Sequence, residues 1–172
     1  MFNDLFSLKG RIALVTGGSR GIGKMIAAGF LAQGAAKVYI TARKAGPCEA
    51  TAKELSARYD GECIALPIDI STVEGCNTLA GEIIKLEPKL DILVNNAGAA
   101  WGAEFDEFPE SGWDKVMDLN VKSLFFLPRR WQSRCAQPRR TSGPPRSSTS
   151  PPWTASSSIP ARLIPTRRAR PQ

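Results

Sequence analysis

Short apolar runs alternate with longer stretches of helical spacing along most of the chain. Residues 11–16 (RIALVT) form an apolar run that ends in glycines, the pattern of a buried strand. Residues 21–33 follow with Ile22, Met25, Ile26, Gly29 and Phe30 at helical spacing, and Gly34 supplies a stop. Residues 37–42 (KVYITA) read as a second strand, residues 46–58 as a polar helix and residues 62–67 (ECIALP) as a third strand. Ser71-Thr72-Val73-Glu74 has the form of a capping box, and behind it Val73, Cys76, Leu79, Ala80 and Ile83 mark one helical face. Residues 91–95 (DILVN) predict a fourth strand, and residues 111–127 a helix with Trp113, Val116 and Leu119 as apolar positions. Strands alternating with helices predict an α/β fold with a Rossmann-like, doubly wound parallel sheet. In such a sheet ligands sit at the carboxyl ends of the strands, near the point where strand order switches.

Composition divides the chain in two. Residues 1–127 carry 13 Lys or Arg and all 16 Asp or Glu, whereas residues 128–172 carry ten Arg, no Lys and no acid. The net charge of +7 therefore belongs to the C-terminal stretch and says nothing about partners of the first part. That stretch also holds nine Pro and eight Ser without periodicity, so too little apolar surface is available to offset ordering entropy. The expected organisation is a domain over residues 1–127, truncated after the fourth strand and its following helix, and a disordered tail over 128–172. The four cysteines lack metal-ligand spacing and histidine is absent, which argues against zinc and excludes histidine acid–base chemistry. Unpatterned cysteines, no signal-peptide pattern at the N-terminus and no long apolar run point to a cytoplasmic protein without membrane association.

The chemistry-bearing feature is residues 16–23 (TGGSRGIG), set between a predicted strand and a predicted helix. Helix N-termini present free N–H groups and partial positive charge, and glycines let backbone approach a pyrophosphate. Gly17, Ser19, Arg20, Gly21, Ile22 and Gly23 are accordingly candidate cofactor contacts. The helix dipole disfavours a cation at Arg20, by a few tenths of a kcal/mol up to ~1, and a bound anion would reverse that sign. Arg43 stands just past the second strand, where an NAD site usually carries an acid for the ribose 2′-hydroxyl. Two arginines without a carboxylate point to a 2′-phosphate, hence NADP(H), the competing reading being that both are solvated surface arginines.

With these residues in place, the chain resembles the short-chain dehydrogenase/reductase family over residues 5–127. The loop is similar to that family's TGxxxGIG, Asp69 to its adenine-contacting aspartate, Asn95-Asn96-Ala97-Gly98 to its NNAG motif, and Asn120 to the helix asparagine of its catalytic tetrad. The resemblance adds Asp69, Asn95, Ala97 and Gly98 as cofactor contacts and Asn120 as a catalytic position. In detail it is closest to 3-oxoacyl reductases, the rhamnolipid-pathway type among them, and it implies a small carbonyl or acyl substrate. Read by themselves, Asp69 could cap the next helix, Asn95 could bond neighbouring backbone, and Asn120 could bond locally.

The rest of the family's catalytic set has no match. The resemblance requires a serine and a Tyr-x3-Lys pair, which places both side chains on one helix face. Tyr39 is followed at i+4 by Arg43 and Tyr59 by Cys63, and the last lysine is Lys122. Without further strands the fourth would be an open edge, a hazard for aggregation. The family's helix-mediated subunit interface would likewise be incomplete. The Arg/Pro/Ser-rich sequence has the look of GC-rich coding sequence read out of frame. The first expectation is therefore an NADPH-dependent carbonyl reductase, inactive as written. Rival readings are a catalytically dead NADP(H)-binding module, a sugar or polyol dehydrogenase and, behind them, nonspecific nucleic-acid binding by the arginines with Trp131 and Trp153.

Overall fold

The computed structural model describes residues 5–135. Four parallel strands form one sheet: β1 (Ile12–Thr16), β2 (Lys37–Thr41), β3 (Glu62–Leu66) and β4 (Ile92–Val94). Their spatial order is β3-β2-β1-β4. The chain therefore steps outward from β1 through β2 to β3, then returns to the other side of β1. This reversal puts a switch point between β1 and β4, as expected of a doubly wound sheet. Ala13, Leu14 and Val15 of β1 pair with both Val38, Tyr39 and Ile40 of β2 and Ile92, Leu93 and Val94 of β4.

Alternation along β1 feeds two cores. Ala13 and Val15 face one side, with Val38 and Ile40, under helices α1 (Gly21–Ala32) and α2 (Ala45–Arg58). Ile12, Leu14 and Tyr39 face the other, under α3 (Val73–Leu86). The stripe by which α1 packs is Gly23, Ala27 and Leu31. Ile22 and Met25, apolar at helical spacing, are instead exposed, because small residues bring this helix close to the sheet through a narrow face. The cap of α3 is Thr72, one residue later than the capping-box reading: its hydroxyl accepts the Gly75 N–H at 3.0 Å. Cys48 and Cys63 are buried in the first core, and burial raises both thiols, that of Cys63 to about 12, so neither supplies a thiolate.

After β4 a loop leads to a short 3₁₀ turn (Phe105–Glu107), then α4 (Glu110–Met117), a π-helical segment (Asp118–Lys122) and α5 (Ser123–Cys135). The helix therefore continues past Leu127, through Pro128, for eight residues beyond the change in composition. An internal proline costs about 3 kcal/mol. Leu127 and Trp131, one turn apart, are both buried in the second core with α3 residues, and each contributes roughly 1.5–3 kcal/mol. Packing thus offsets the local penalty. Burial also removes Trp131 from the surface, which corrects its reading as a base-stacking residue. The expected disorder of the tail concerns, from residue 136 onward, positions outside the described residues. Among the described residues, no strand pairs with the outer edge of β4, and no helix is long and apolar enough to cross a membrane.

Candidate functional site

A cavity of about 760 Å³ opens at the carboxyl ends of β1, β2 and β4. Its size falls within the roughly 300–1,000 Å³ of ligand sites. The β1–α1 loop contributes Gly17, Ser19, Arg20, Gly21, Ile22 and Gly23 to its wall. Arg43 and Lys44 follow β2, Asp69 follows β3, and Asn96, Ala97 and Gly98 follow β4. Ten of the cofactor contacts expected from sequence are therefore gathered on one lining. Asn95 is the exception. It is exposed and lies off the lining, and its neighbour Asn96 occupies the inward position.

The floor is a knot between the ends of β1 and β4. The buried Thr16 hydroxyl donates to the Val94 carbonyl (3.2 Å) and accepts the N–H groups of Asn96 (2.9 Å) and Ala97 (3.0 Å). In return, Asn96 Nδ2 donates to the carbonyls of Thr16 (2.9 Å) and Gly17 (3.3 Å). These five bonds hold the glycine loop against the chain leaving β4. Gly17 has φ +68°, which favours glycine. At Gly23 the reason is contact: an added Cβ would run into the Gly17 carbonyl and lie 2.6 Å from Asn96 Nδ2. The loop can therefore turn this tightly only with hydrogen at both positions.

The first turn of α1 has no side-chain cap and no acidic residue. Its free N–H groups are left to the cavity side of the loop. Arg20 stands at the N-cap with extended backbone and an exposed side chain. Among the described residues, no carboxylate lies within 4.0 Å of Arg20, Arg43 or Lys44, whereas Lys24 on the same helix pairs with Glu54 at 2.7 Å. Asp69 is an acid on the lining, and its Oδ1 accepts the Ser71 N–H at 3.0 Å. A ring of unpaired cations around a glycine loop suits a ligand carrying several phosphates.

Asn120 lies in the π-helical segment, beyond the cavity lining. Its side-chain amide makes a reciprocal pair with Ala99: Oδ1 accepts the Ala99 N–H and Nδ2 donates to the Ala99 carbonyl, both at 2.8 Å. The bond spans 21 residues, so Asn120 is not bonding locally; it pins the loop after β4 to the helix. Widened turns of this kind recur at functional sites. Lys44, Asn96 and Thr16 escaped sequence reasoning as site residues. Asn96 lay inside a recognised motif, and Lys44 stood beside Arg43, so each carried a usable signal. Thr16 also opened a recognised motif, but its bonding role was hidden, because its partners lie about 80 residues away.

Fold, switch-point cavity and capless glycine loop together define a Rossmann-like unit of the class that holds dinucleotides. The family model for short chain dehydrogenase matches residues 11–135, and the chain belongs to that family. It is 58% identical over 120 residues to the rhamnolipids biosynthesis 3-oxoacyl-acyl-carrier-protein reductase of Pseudomonas aeruginosa, covering 70% of this chain and 46% of that protein. It is 35% identical over 127 residues to an NAD-dependent glycerol dehydrogenase of Listeria innocua, covering 73% and 48%. Among solved structures, the Pseudomonas aeruginosa RhlG/NADP active-site complex superposes with a TM-score of 0.69 at 56% identity, covering 73% of this chain and 48% of that one. An NADP-bound 3-oxoacyl reductase from Agrobacterium tumefaciens gives 0.70 at 30% identity, covering 78% and 52%. The chain spans about half the length of the curated relatives it matches.

Proposed function

We propose that the cavity holds NADP(H), and that the chain carries the cofactor-binding half of a reductase for carbonyl substrates of the 3-oxoacyl kind. The observation that carries this reading is charge. Arg20, Arg43 and Lys44 line the cavity without ion-pair partners among the described residues, and residues 42–48, directly after β2, include no acid to receive a ribose 2′-hydroxyl. Gly17 and Gly23 let backbone approach the pyrophosphate, and the first turn of α1 presents N–H donors to it. Arg43 and Lys44 would take the 2′-phosphate, Asp69 the adenine end, and Ala97 and Gly98 the stretch toward the nicotinamide. The named relatives of the chain support the class of substrate. One of them, the glycerol dehydrogenase, is NAD-dependent by name.

NADPH, when bound, supplies a hydride to a carbonyl carbon. Reduction also needs a proton at the carbonyl oxygen, and neither tyrosine of the chain lines the cavity. Tyr39 is buried under the sheet, where its hydroxyl donates to Glu87 at 2.6 Å. Tyr59 ends α2 with the Arg58 guanidinium 5.6 Å from its ring centre. We therefore read this chain as able to hold the cofactor and unable to turn it over. The Arg/Pro/Ser-rich stretch is read as translation out of frame. Sequencing the gene around codon 127 tests that directly: an alternative frame should encode a serine and Tyr-x3-Lys, and its absence would overturn the idea.

Calorimetric titration of the full chain with NADPH and NADH tests the cofactor assignment. NADPH should bind about tenfold more tightly, the worth of one charge-assisted phosphate contact. Equal affinities would sink it. Oxidation of NADPH by a 3-oxoacyl thioester above the rate without protein would refute the reading of inactivity.

A further inference from the structure

Two hydrogen bonds fasten the glycine loop to the neighbouring strand and helix. The Gly18 N–H donates to the Thr41 carbonyl at the end of β2 (3.1 Å). The Thr51 hydroxyl, two turns into α2, donates to the Ser19 carbonyl (2.8 Å). Thr51 is buried, with 6% of its surface exposed, although it is a polar residue on a mostly polar helix. It does not line the cavity. Its hydroxyl can bond a nearer carbonyl on its own helix, as threonines in helices commonly do. Here it reaches instead to a peptide 32 positions away.

The consequence follows from peptide geometry. In a trans peptide the carbonyl oxygen and the next N–H point in opposite directions. Holding the Ser19 carbonyl against α2 therefore turns the Arg20 N–H away from α2 and fixes the peptide that carries Arg20. Arg43 and Lys44 lead directly into the same helix, Lys44 as its N-cap residue. The Thr51 bond, beside the Gly18–Thr41 bond, thus ties the loop that carries Arg20 to the helix that Arg43 and Lys44 lead into, and so bears on the spacing between Arg20 on one wall and Arg43 with Lys44 on the other. All three are exposed and lack partners among the described residues, so no ion pair supplies that spacing.

We propose that Thr51 is a positioning residue for cofactor selectivity: it holds the cations of the loop and of the β2–α2 junction at the separation that recognises the 2′-phosphate. The inference rests on the NADP(H) reading above. A cofactor without that phosphate does not use the spacing, so the effect of Thr51 is on the ratio of affinities rather than on binding in general.

The test is calorimetric titration of the full chain and its Thr51 variants with NADPH and with NADH. Thr51→Val keeps the shape and removes the donor. It should reduce the NADPH-over-NADH affinity ratio about five- to tenfold, the range expected for one net hydrogen bond. Thr51→Ser keeps the hydroxyl and should retain the ratio. A general loosening of the fold would weaken both cofactors alike and leave the ratio where it was, and that outcome overturns the proposal. So does an equal fall of the ratio in Thr51→Ser. If Thr51→Val does not fold, Thr51→Ala takes its place with the same expectation. A wild-type chain that binds both cofactors equally, or neither, refutes the NADP(H) reading itself and removes this inference with it. An unchanged ratio in Thr51→Val beside a clear wild-type preference refutes the role of Thr51 alone.

Discussion

The two ends of the sheet treat charge in opposite ways. At the amino ends, charges are paired. Asp91 accepts the Ile12 N–H (2.9 Å), Arg11 (3.1 Å) and Lys89 (3.0 Å). Glu87, buried beneath β2, accepts Lys37 and the Tyr39 hydroxyl, each at 2.6 Å. Burial alone would raise both carboxyls, but these donors override it and hold both below their ordinary values. The Tyr39 phenol moves the other way, raised first by burial and then by the Glu87 carboxylate. At the carboxyl ends, Arg20, Arg43 and Lys44 stand around an open cavity, and among the described residues none of the three is in an ion pair, although Asp69 shares the lining. One end spends its charges on joining β1 to β4 and β2 to α3. The other leaves them for a ligand. Evolution of binding sites requires such unsatisfied groups, and a sheet tolerates them where its strands open into loops.

Substitutions should separate these two ends, with stability responding at one and binding at the other. The largest effect belongs to Gly23→Ala, where both respond, because the new methyl group runs into the Gly17 carbonyl. The expected loss is about 3 kcal/mol of stability, with NADPH-induced thermal stabilisation abolished. A variant that still gains stability from NADPH would show that the loop is not held as described. Glu87→Ala comes next. Removing the acceptor leaves the Tyr39 hydroxyl buried without a partner and should cost about 1–3 kcal/mol in urea unfolding. Its NADPH affinity should stay at the wild-type value, and a shift there would join the two ends that the structure separates. Arg43→Ala is the converse. It should weaken NADPH about tenfold, or about 1.4 kcal/mol, while changing stability by no more than about 0.5 kcal/mol. Loss of NADH affinity to the same degree would deny it a phosphate role.

The smallest effect is on acid stability. Glu87 and Asp91 have folded-state pKa values below their ordinary 4.5 and 3.8. A lowered carboxyl binds fewer protons in the folded state, so its contribution is complete above the ordinary value and is lost as pH falls through the folded one. Melting temperature should therefore decline on the acid side of pH 4.5, and Asp91→Asn should flatten that decline. An identical slope in the variant would show that Asp91 is not held by its three donors.

Strands were legible because each is a short apolar run closed by glycine, proline or a polar residue, and the four observed strands fall inside the runs read from sequence. The position of the site was legible for the same reason, since a glycine-rich turn between strand and helix has one location in such a sheet. Features that depend on a distant partner were not. Thr16 reads as the last residue of a strand, yet its hydroxyl makes three bonds to residues about 80 positions away. Asn95 and Asn96 cannot be told apart by composition, and only the direction of the chain leaving β4 decides which turns inward. Thr72 caps α3 in place of Ser71, a difference of one residue that local pattern does not resolve. Pro128 reads as a helix stop, and only the burial of Leu127 and Trp131 against α3 shows why the helix continues. Gly23 was legible as a small residue, but the carbonyl that requires it was not.

The knot between Thr16 and Asn96 also sets an order of events. Strands β1, β2 and β3 with α1 and α2 can form from contacts within the first 66 residues, and they already include the glycine loop. The cavity floor cannot. It needs β4, which enters beside β1 after the longest excursion of the chain among these strands, and contacts of such separation form late. A nascent chain emerging as far as β3 would have the phosphate loop but no Asn96 to brace it. Cofactor bound to the braced loop therefore stabilises a sheet that has already recruited its fourth strand.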